Sequence, residues 1–265
     1  MRSYLLVVDL DNTLLGDDAA LERFSAWHAA RREWLGLVYA SGRFYGSVMK
    51  SIRTAPLPAP EALICGLGTD LRHFESRLVV AGWRERVVAG GWSAERVRAV
   101  CDRLDMLCLQ PDEFQSEFKV SYVGHQLTAS QLARVDAALR DARLTVNLVY
   151  SGRRDLDILP AGVDKGTAAA YLVRRGQRID RQVLVAGDSG NDLALFQQGF
   201  RGIVVANAEP ALTQLAGPEV YVSPFAFADG VLDGLCHWLG EPDDGYLKAT
   251  ASHCAQRVQS TLLFE

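Results

Sequence analysis

Short apolar runs that end abruptly in a polar, chemically capable residue constrain this chain more than any other feature. Tyr4-Leu5-Leu6-Val7-Val8 runs unbroken into Asp9, Leu37-Val38-Tyr39-Ala40 into Ser41, and Val183-Leu184-Val185-Ala186 into Gly187-Asp188. A run of this kind keeps no polar face for water, which suits a strand of a parallel sheet covered on both sides. Helical stretches fall between the runs. Asp17 or Asp18 can cap a helix that extends to about Trp34. A second helix follows Ser41-Gly42-Arg43 into Thr54 and is stopped by Pro56-Leu57-Pro58-Ala59-Pro60. Residues 62–65 form a third strand, closed by Gly66 and Gly68. This alternation predicts βαβ units and a Rossmann-like parallel sheet, an α/β fold.

The rhythm changes from about residue 83. Two helical stretches lead to a short apolar run at 106–109. A strand at 118–122, a helix at 130–142 and strands at 144–150 and 155–159 follow. After Pro160 the α/β alternation resumes, with helices at 165–175, 191–198 and 229–239 and strands at 183–186, 203–205 and 219–222. The expected organisation is a core of residues 1–82 and 161–265 with an α+β domain, residues 83–160, inserted into it. The stretch 241–265 has no evident place in the sheet; it docks on the core or mediates self-association.

Composition restricts the setting. A net charge of −4 lacks the basic footprint of a nucleic-acid binder. The opening apolar run is too short and too soon charged to be a signal peptide or membrane span. The five cysteines (Cys65, Cys101, Cys108, Cys236, Cys254) show no C-x-x-C pair and read as buried, reduced thiols of a cytoplasmic protein.

The polar residues at the strand ends carry the chemistry, because ligands of open α/β sheets bind outside the carboxyl ends of the strands. Asp9 and Asp11, two apart, would repel one another unless a cation neutralises them or one takes a proton. A hard divalent ion held by carboxylate, backbone carbonyl and substrate phosphate resolves this, and magnesium is the usual choice. Gly187-Asp188-Ser189-Gly190-Asn191-Asp192 repeats the placement, so that Asp188 and Asp192 can face the same ion. Ser41, Gly42 and Arg43 offer a hydroxyl and N–H groups to phosphoryl oxygens at a helix start. Lys165 supplies positive charge to Asp9 and to a phosphoryl group in the transition state. Each has a plain alternative, a solvated turn for the acids and a surface charge for the lysine; together they make a site.

In this order the four segments resemble the haloacid dehalogenase superfamily, over nearly the whole chain: D-x-D-x-T at Asp9, Ser at 41, Lys at 165 and G-D-x-x-x-D at Gly187. The resemblance implies that Asp9 is a nucleophile forming an aspartyl-phosphate and Asp11 the general acid and base. It implies that Asp9, the Asp11 carbonyl and Asp188 ligate magnesium, with Asp192 beside or behind the ion. Thr13 and Asn191, in the same loops, are set with the phosphate and substrate contacts. The inserted domain corresponds to the large α/β cap of one branch, the C2B type. Within that branch the segments at Gly66-Leu67-Gly68-Thr69-Asp70, Lys119-Val120-Ser121-Tyr122 and Asp155-Leu156-Asp157 are similar to the sucrose-6-phosphate phosphatases. Residues 56–58 and 228–238 are similar to the related mannosylfructose-phosphate phosphatases. The resemblance implies that Lys119 and Asp155 or Asp157 in the cap, with Gly68, Thr69 and Asp70 at the hinge side, meet a sugar. The function expected is magnesium-dependent hydrolysis of a sugar phosphate, sucrose 6-phosphate first. Two readings stand beside it: a phosphomutase that passes the phosphoryl group to another hydroxyl, and a non-catalytic module that binds a sugar-phosphate synthase. Retention of Asp9, Asp11, Lys165, Asp188 and Asp192 speaks against the last.

Overall fold

The structure, a computed structural model, describes residues 3–175, 181–242 and 245–247. Its larger sheet is built from β1 (Ser3–Val8), β2 (Leu35–Ala40), β3 (Ala62–Cys65) and β4 (Asp70–His73). The first two helices are α1 (Asp18–Ala29), between β1 and β2, and α2 (Tyr45–Thr54), between β2 and β3. Then come α3 (Trp83–Val88) and α4 (Ala94–Cys101), and a second, smaller sheet of β5 (Cys108–Leu109), β6 (Val120–Val123), β7 (Val146–Ser151) and β8 (Asp155–Pro160), with α5 (Ala129–Asp141) between β6 and β7. The chain returns to the larger sheet through α6 (Lys165–Arg175), β9 (Arg181–Gly187), α7 (Leu193–Phe196), β10 (Arg201–Val204), α8 (Pro210–Thr213), β11 (Val220–Val222) and α9 (Phe227–Leu239).

The larger sheet has the order β11-β10-β9-β1-β2-β3-β4. β1 lies at its centre, and its side chains alternate between two cores. Leu6 and Val8 join Phe24 and Trp27 of α1 and Leu232 and Leu235 of α9. Leu5 and Val7 join Ala168 and Ala169 of α6 on the opposite face. Two covered faces explain why the run 4–8 is apolar throughout. The register pairs Val8 with Tyr39 and with Ala186, so Asp9, Ser41 and Asp188 leave the sheet side by side at its carboxyl edge.

The small sheet has the order β5-β6-β8-β7, antiparallel throughout. Its period of two divides its residues cleanly. Val120, Tyr122, Leu156 and Ile158 pack on Val97, Cys101, Val135 and Leu139 of α4 and α5. Lys119, Ser121, Asp155 and Asp157 therefore fall on the face away from those helices.

Several expectations need correction. The sheet is not purely parallel, because β4 pairs antiparallel with β3. Gly66, Leu67 and Gly68 all have positive φ, and this tight turn sends the chain back along the edge. Helix α1 ends at Ala29 rather than near Trp34. The Trp34 carbonyl accepts from the Tyr4 N–H, and Leu35 must already enter β2 beside Tyr4. The helix expected at 191–198 is a 3-10 turn, Gly190–Asp192, followed by the single turn of α7, because the Asp192 side chain folds back to accept the Ser189 N–H. The strand expected at 118–122 is Val120–Val123, and the run at 106–109 supplies only Cys108–Leu109. Cys65 and Cys101 are buried, but Cys108 is exposed and Cys236 half-buried; Cys254 and most of 241–265 lie outside the described residues. Among the described residues no helix is long and apolar enough to cross a membrane.

Candidate active site

Lys165 opens α6, and its side chain is wholly buried beneath the carboxyl edge of the sheet. Its ammonium has three N–H donors and three acceptors: Asp9 Oδ1 at 2.7 Å, Asp192 Oδ1 at 2.8 Å and Asn191 Oδ1. Gly166 makes this burial possible. A Cβ there would lie 1.9 Å from the Ala194 carbonyl oxygen, so only glycine lets α6 approach the loop that carries Asn191 and Asp192 so closely.

Asp192 has no oxygen to spare. Besides Lys165, it accepts the N–H groups of Asp188 at 3.1 Å and Ser189 at 3.2 Å through Oδ2. It shapes the Asp188 loop from behind. Asp188 itself accepts from the Thr13 hydroxyl at 3.2 Å, so the fully buried Thr13 braces an acid rather than lining a cavity. Asp9, Asp188 and Asp192 each bring a carboxylate oxygen within 4.8 Å of the others.

Three buried carboxylates face one ammonium. Burial pushes the Asp9 carboxyl well above the usual range; Lys165 opposes this, and Asp192 and Asp188 add to it. Burial and then Asp192 push Asp188 up to about 7. Burial alone would lower the Lys165 ammonium, but Asp192 and Asp9 outweigh it and hold it above its ordinary value. A divalent cation between Asp9 and Asp188 would remove this excess of negative charge, so the donor set fits a hard metal ion.

Asp11 stands at the rim of the cleft. Arg43 holds it with two N–H groups, Nε to Asp11 Oδ2 at 2.8 Å and Nη2 to Oδ1, while Arg43 Nη1 donates to Ser51 Oγ of α2 at 2.8 Å. Ser41 is buried; its Oγ accepts the Arg43 N–H at 3.1 Å, which leaves the hydroxyl proton free to donate.

Over these groups lies a cleft of about 530 Å³ between the two sheets. Asp9, Asp11, Gly42, Arg43, Asp188 and Asn191 line its floor and one side. The small sheet supplies the other wall, including Lys119, Asp155 and Asp157. Lys119 Nζ donates to Asp157 Oδ1 at 2.9 Å and to Ser121 Oγ at 2.8 Å, a buried trio in which Ser121 also donates to Asp157. Gly68, Thr69 and Asp70 are not brought here. Thr69 and Asp70 line a separate hollow with Arg72 and Trp83; Thr69 bonds the Gly66 carbonyl, Asp70 pairs with Arg72, and Gly68 packs on Asp164. Residues that carry no motif also line the cleft, among them Gln110, Phe114, Arg154 and Glu209. Gln110 follows the apolar pair of β5, and Glu209 precedes a proline after β10; neither pattern marks a site by itself.

The family profile described as sucrose-6F-phosphate phosphohydrolase matches residues 2–239, nearly all of the described structure. The chain belongs to this family. Its fold is that of the haloacid dehalogenase superfamily, a parallel-sheet core with a cap, as in a subclass IIB sugar phosphatase. Among relatives, the mannosylfructose-phosphate phosphatase of Agrobacterium fabrum is 36% identical over 239 residues, covering 88% of this chain and 96% of that one. Sucrose-phosphatase 1 of Nicotiana tabacum is 30% identical over 250 residues, covering 88% of this chain; the chain spans only 59% of that protein. The sucrose-phosphatase of Synechocystis sp. PCC6803, solved with sucrose and phosphate, superposes with a TM-score of 0.81 at 30% identity, covering 89% of this chain and 98% of that one.

Proposed function

We propose that the protein is a magnesium-dependent phosphatase acting on a phosphorylated sugar, with Asp9 as nucleophile. The observation that carries this reading is the Lys165 ammonium, locked between Asp9 and Asp192 directly below the cleft. Lys165 holds Asp9 by Oδ1 and leaves Oδ2 for phosphorus. The Ser41 hydroxyl, itself held by the Arg43 N–H, and the N–H of Gly42 take the phosphoryl oxygens. The Asp9 carboxylate attacks phosphorus as the ester bond to the sugar oxygen breaks, and Asp11, once it has left the Arg43 pair and taken a proton from solvent, gives that proton to the sugar oxygen. Water then attacks the aspartyl-phosphate, passes its proton to Asp11, and inorganic phosphate leaves with Asp9 restored. A magnesium ion held by Asp9, Asp188 and the Asp11 carbonyl would supply positive charge beside the phosphoryl oxygens. Lys119, Asp155 and Asp157 meet the sugar from the cap, and closure over it keeps water from the reacting centre.

The sugar proposed is the phosphorylated non-reducing disaccharide sucrose 6-phosphate. The name and the ligands of the Synechocystis relative support it. Mannosylfructose phosphate is the second reading, supported by the 36% identity that extends over 96% of the Agrobacterium enzyme. A sugar-phosphate synthase is the natural supplier of either substrate and the partner to seek by co-purification. The test is a phosphate-release screen of both disaccharide phosphates against simple hexose phosphates, run with the wild type and with Asp9→Asn. Release from a disaccharide phosphate that vanishes in the variant is expected. Normal turnover by Asp9→Asn would sink the mechanism, and preference for a hexose monophosphate would sink the disaccharide.

A further inference from the structure

Glu209 belongs to no motif, yet it touches both halves of the cleft. It lies after β10, just before Pro210 opens α8. Its Oε1 accepts the N–H of Gly152 at 2.6 Å, at the tip of the β7–β8 hairpin of the small sheet. Its Oε2 accepts the N–H of Gly190 at 3.0 Å, in the loop between Asp188 and Asp192. Its own N–H donates to the Asp188 carbonyl at 2.7 Å. The hairpin and the loop also meet directly, since a Cβ on Gly190 would lie 2.5 Å from the Tyr150 carbonyl oxygen.

An acid is an expensive choice at this position, because its charge adds to the repulsion already borne by Asp188. Only a carboxylate offers two equivalent acceptors on a stem long enough to reach both N–H groups at once. The geometry points to Glu209 as a positioning residue that couples closure of the small sheet over the cleft to the setting of the Asp188 loop. This rests on the reading of Asp9 and Asp188 as the metal and phosphoryl site. The hairpin that carries Gly152 also brings Ser151 and Arg154 to the cleft wall. A ligand drawing the hairpin inward therefore pulls, through one carboxylate, on the loop of a metal ligand. Coupling of this kind is reciprocal: filling the sugar side must tighten the metal side, and the metal must tighten the sugar side.

The experiment compares wild type with Glu209→Ala, Glu209→Gln and Glu209→Asp, on a disaccharide phosphate and on p-nitrophenyl phosphate, across a magnesium titration read both as phosphate release and as the rise in melting temperature that magnesium gives with and without the free disaccharide. The small aryl ester fills the phosphate site but not the sugar side, so it reports the core alone. Removing both bonds should lower kcat/KM for the disaccharide phosphate about tenfold or more, and for the aryl ester about threefold. In the wild type, half-saturating magnesium should be lower with the disaccharide phosphate than with the aryl ester. In Glu209→Ala the two values should converge. Glu209→Asp keeps the charge but not the reach and should behave like the alanine variant; Glu209→Gln keeps one carbonyl acceptor and should fall between. Equal losses on both substrates with an unchanged difference in magnesium requirement would reduce Glu209 to a structural contact and overturn the proposal. Full activity in Glu209→Asp would overturn the bridge in favour of charge alone. A wild type with no magnesium-dependent phosphate release would overturn the phosphatase reading itself, and the coupling with it.

Discussion

Metal-depleted protein should lose stability as the pH rises from about 4 to about 7, and magnesium should return it. The perturbation is removal of the divalent ion from a cluster of three buried carboxylates and one ammonium. Asp188 is pushed from the ordinary 3.8 up to about 7, and Asp9 is raised in the same direction. A carboxyl whose pKa is higher in the folded than in the unfolded chain contributes its stabilisation fully below the unfolded value and loses it as the pH climbs through the folded value. For Asp188 the difference is about 3 units (7 less 3.8), or about 4 kcal/mol at roughly 1.36 kcal/mol per unit, spent between about pH 4 and about pH 7. Magnesium binds the ionised form, so its stabilising effect should grow over that interval and level off above it. The assay is urea denaturation of metal-depleted and magnesium-loaded protein across this pH range, read as the difference in unfolding free energy. Taking the difference removes groups remote from the cluster, such as His28, whose buried imidazole is lowered and acts with the opposite sign. A magnesium effect that is flat with pH, or larger in acid, would refute the placement of the ion among these carboxylates.

Two further perturbations address how the site is built. Lys165→Met removes the ammonium that binds Asp9 and Asp192; it should destabilise metal-depleted protein by about 3–5 kcal/mol and cut kcat at least about a hundredfold. A variant that turns over at the wild-type rate would remove Lys165 from the chemistry. Gly166→Ala drives a methyl group into the Ala194 carbonyl and should cost about 1–3 kcal/mol while lowering kcat through displacement of Lys165, whereas an unchanged melting temperature would show that α6 is free to shift.

The strands that carry the site were legible because they are buried on both faces. β3 lies at the expected residues, and β1 within one, since no polar residue interrupts their runs and Asp, Gly or Pro closes them. α6 likewise begins at Lys165 as expected and runs to Arg175, the last described residue before 181. β4 was not legible: of its four residues only Leu71 is buried, too little for a period of two to register. Nothing in Arg31-Arg32-Glu33 stops a helix, so the end of α1 depends on a tertiary demand, the pairing of Leu35 with Tyr4. The same division holds in the site. Asp9, Lys165 and Asp188 declare themselves by acid or base at a strand or helix end. Glu209 is polar, near a turn and beside a proline, like many surface glutamates, and only the distant N–H groups it meets give it a task. The second oxygens of Asp192 and the bracing by Thr13 belong to the same class, since they become visible only once the loops are folded against one another.

The small sheet is threaded as one uninterrupted stretch between β4 and α6. Every acid and base at the carboxyl edge of the larger sheet comes from outside that stretch, whereas Lys119, Ser121, Asp155 and Asp157 come from inside it. On the proposed reading, bond cleavage and molecular recognition are therefore written in separate passages of the gene. A lineage can inherit the first intact while the second diverges, by point changes or by exchange of a single segment, and an engineer can do the same. Glu209 limits that freedom: a transplanted hairpin must still present a backbone N–H where Gly152 now presents one.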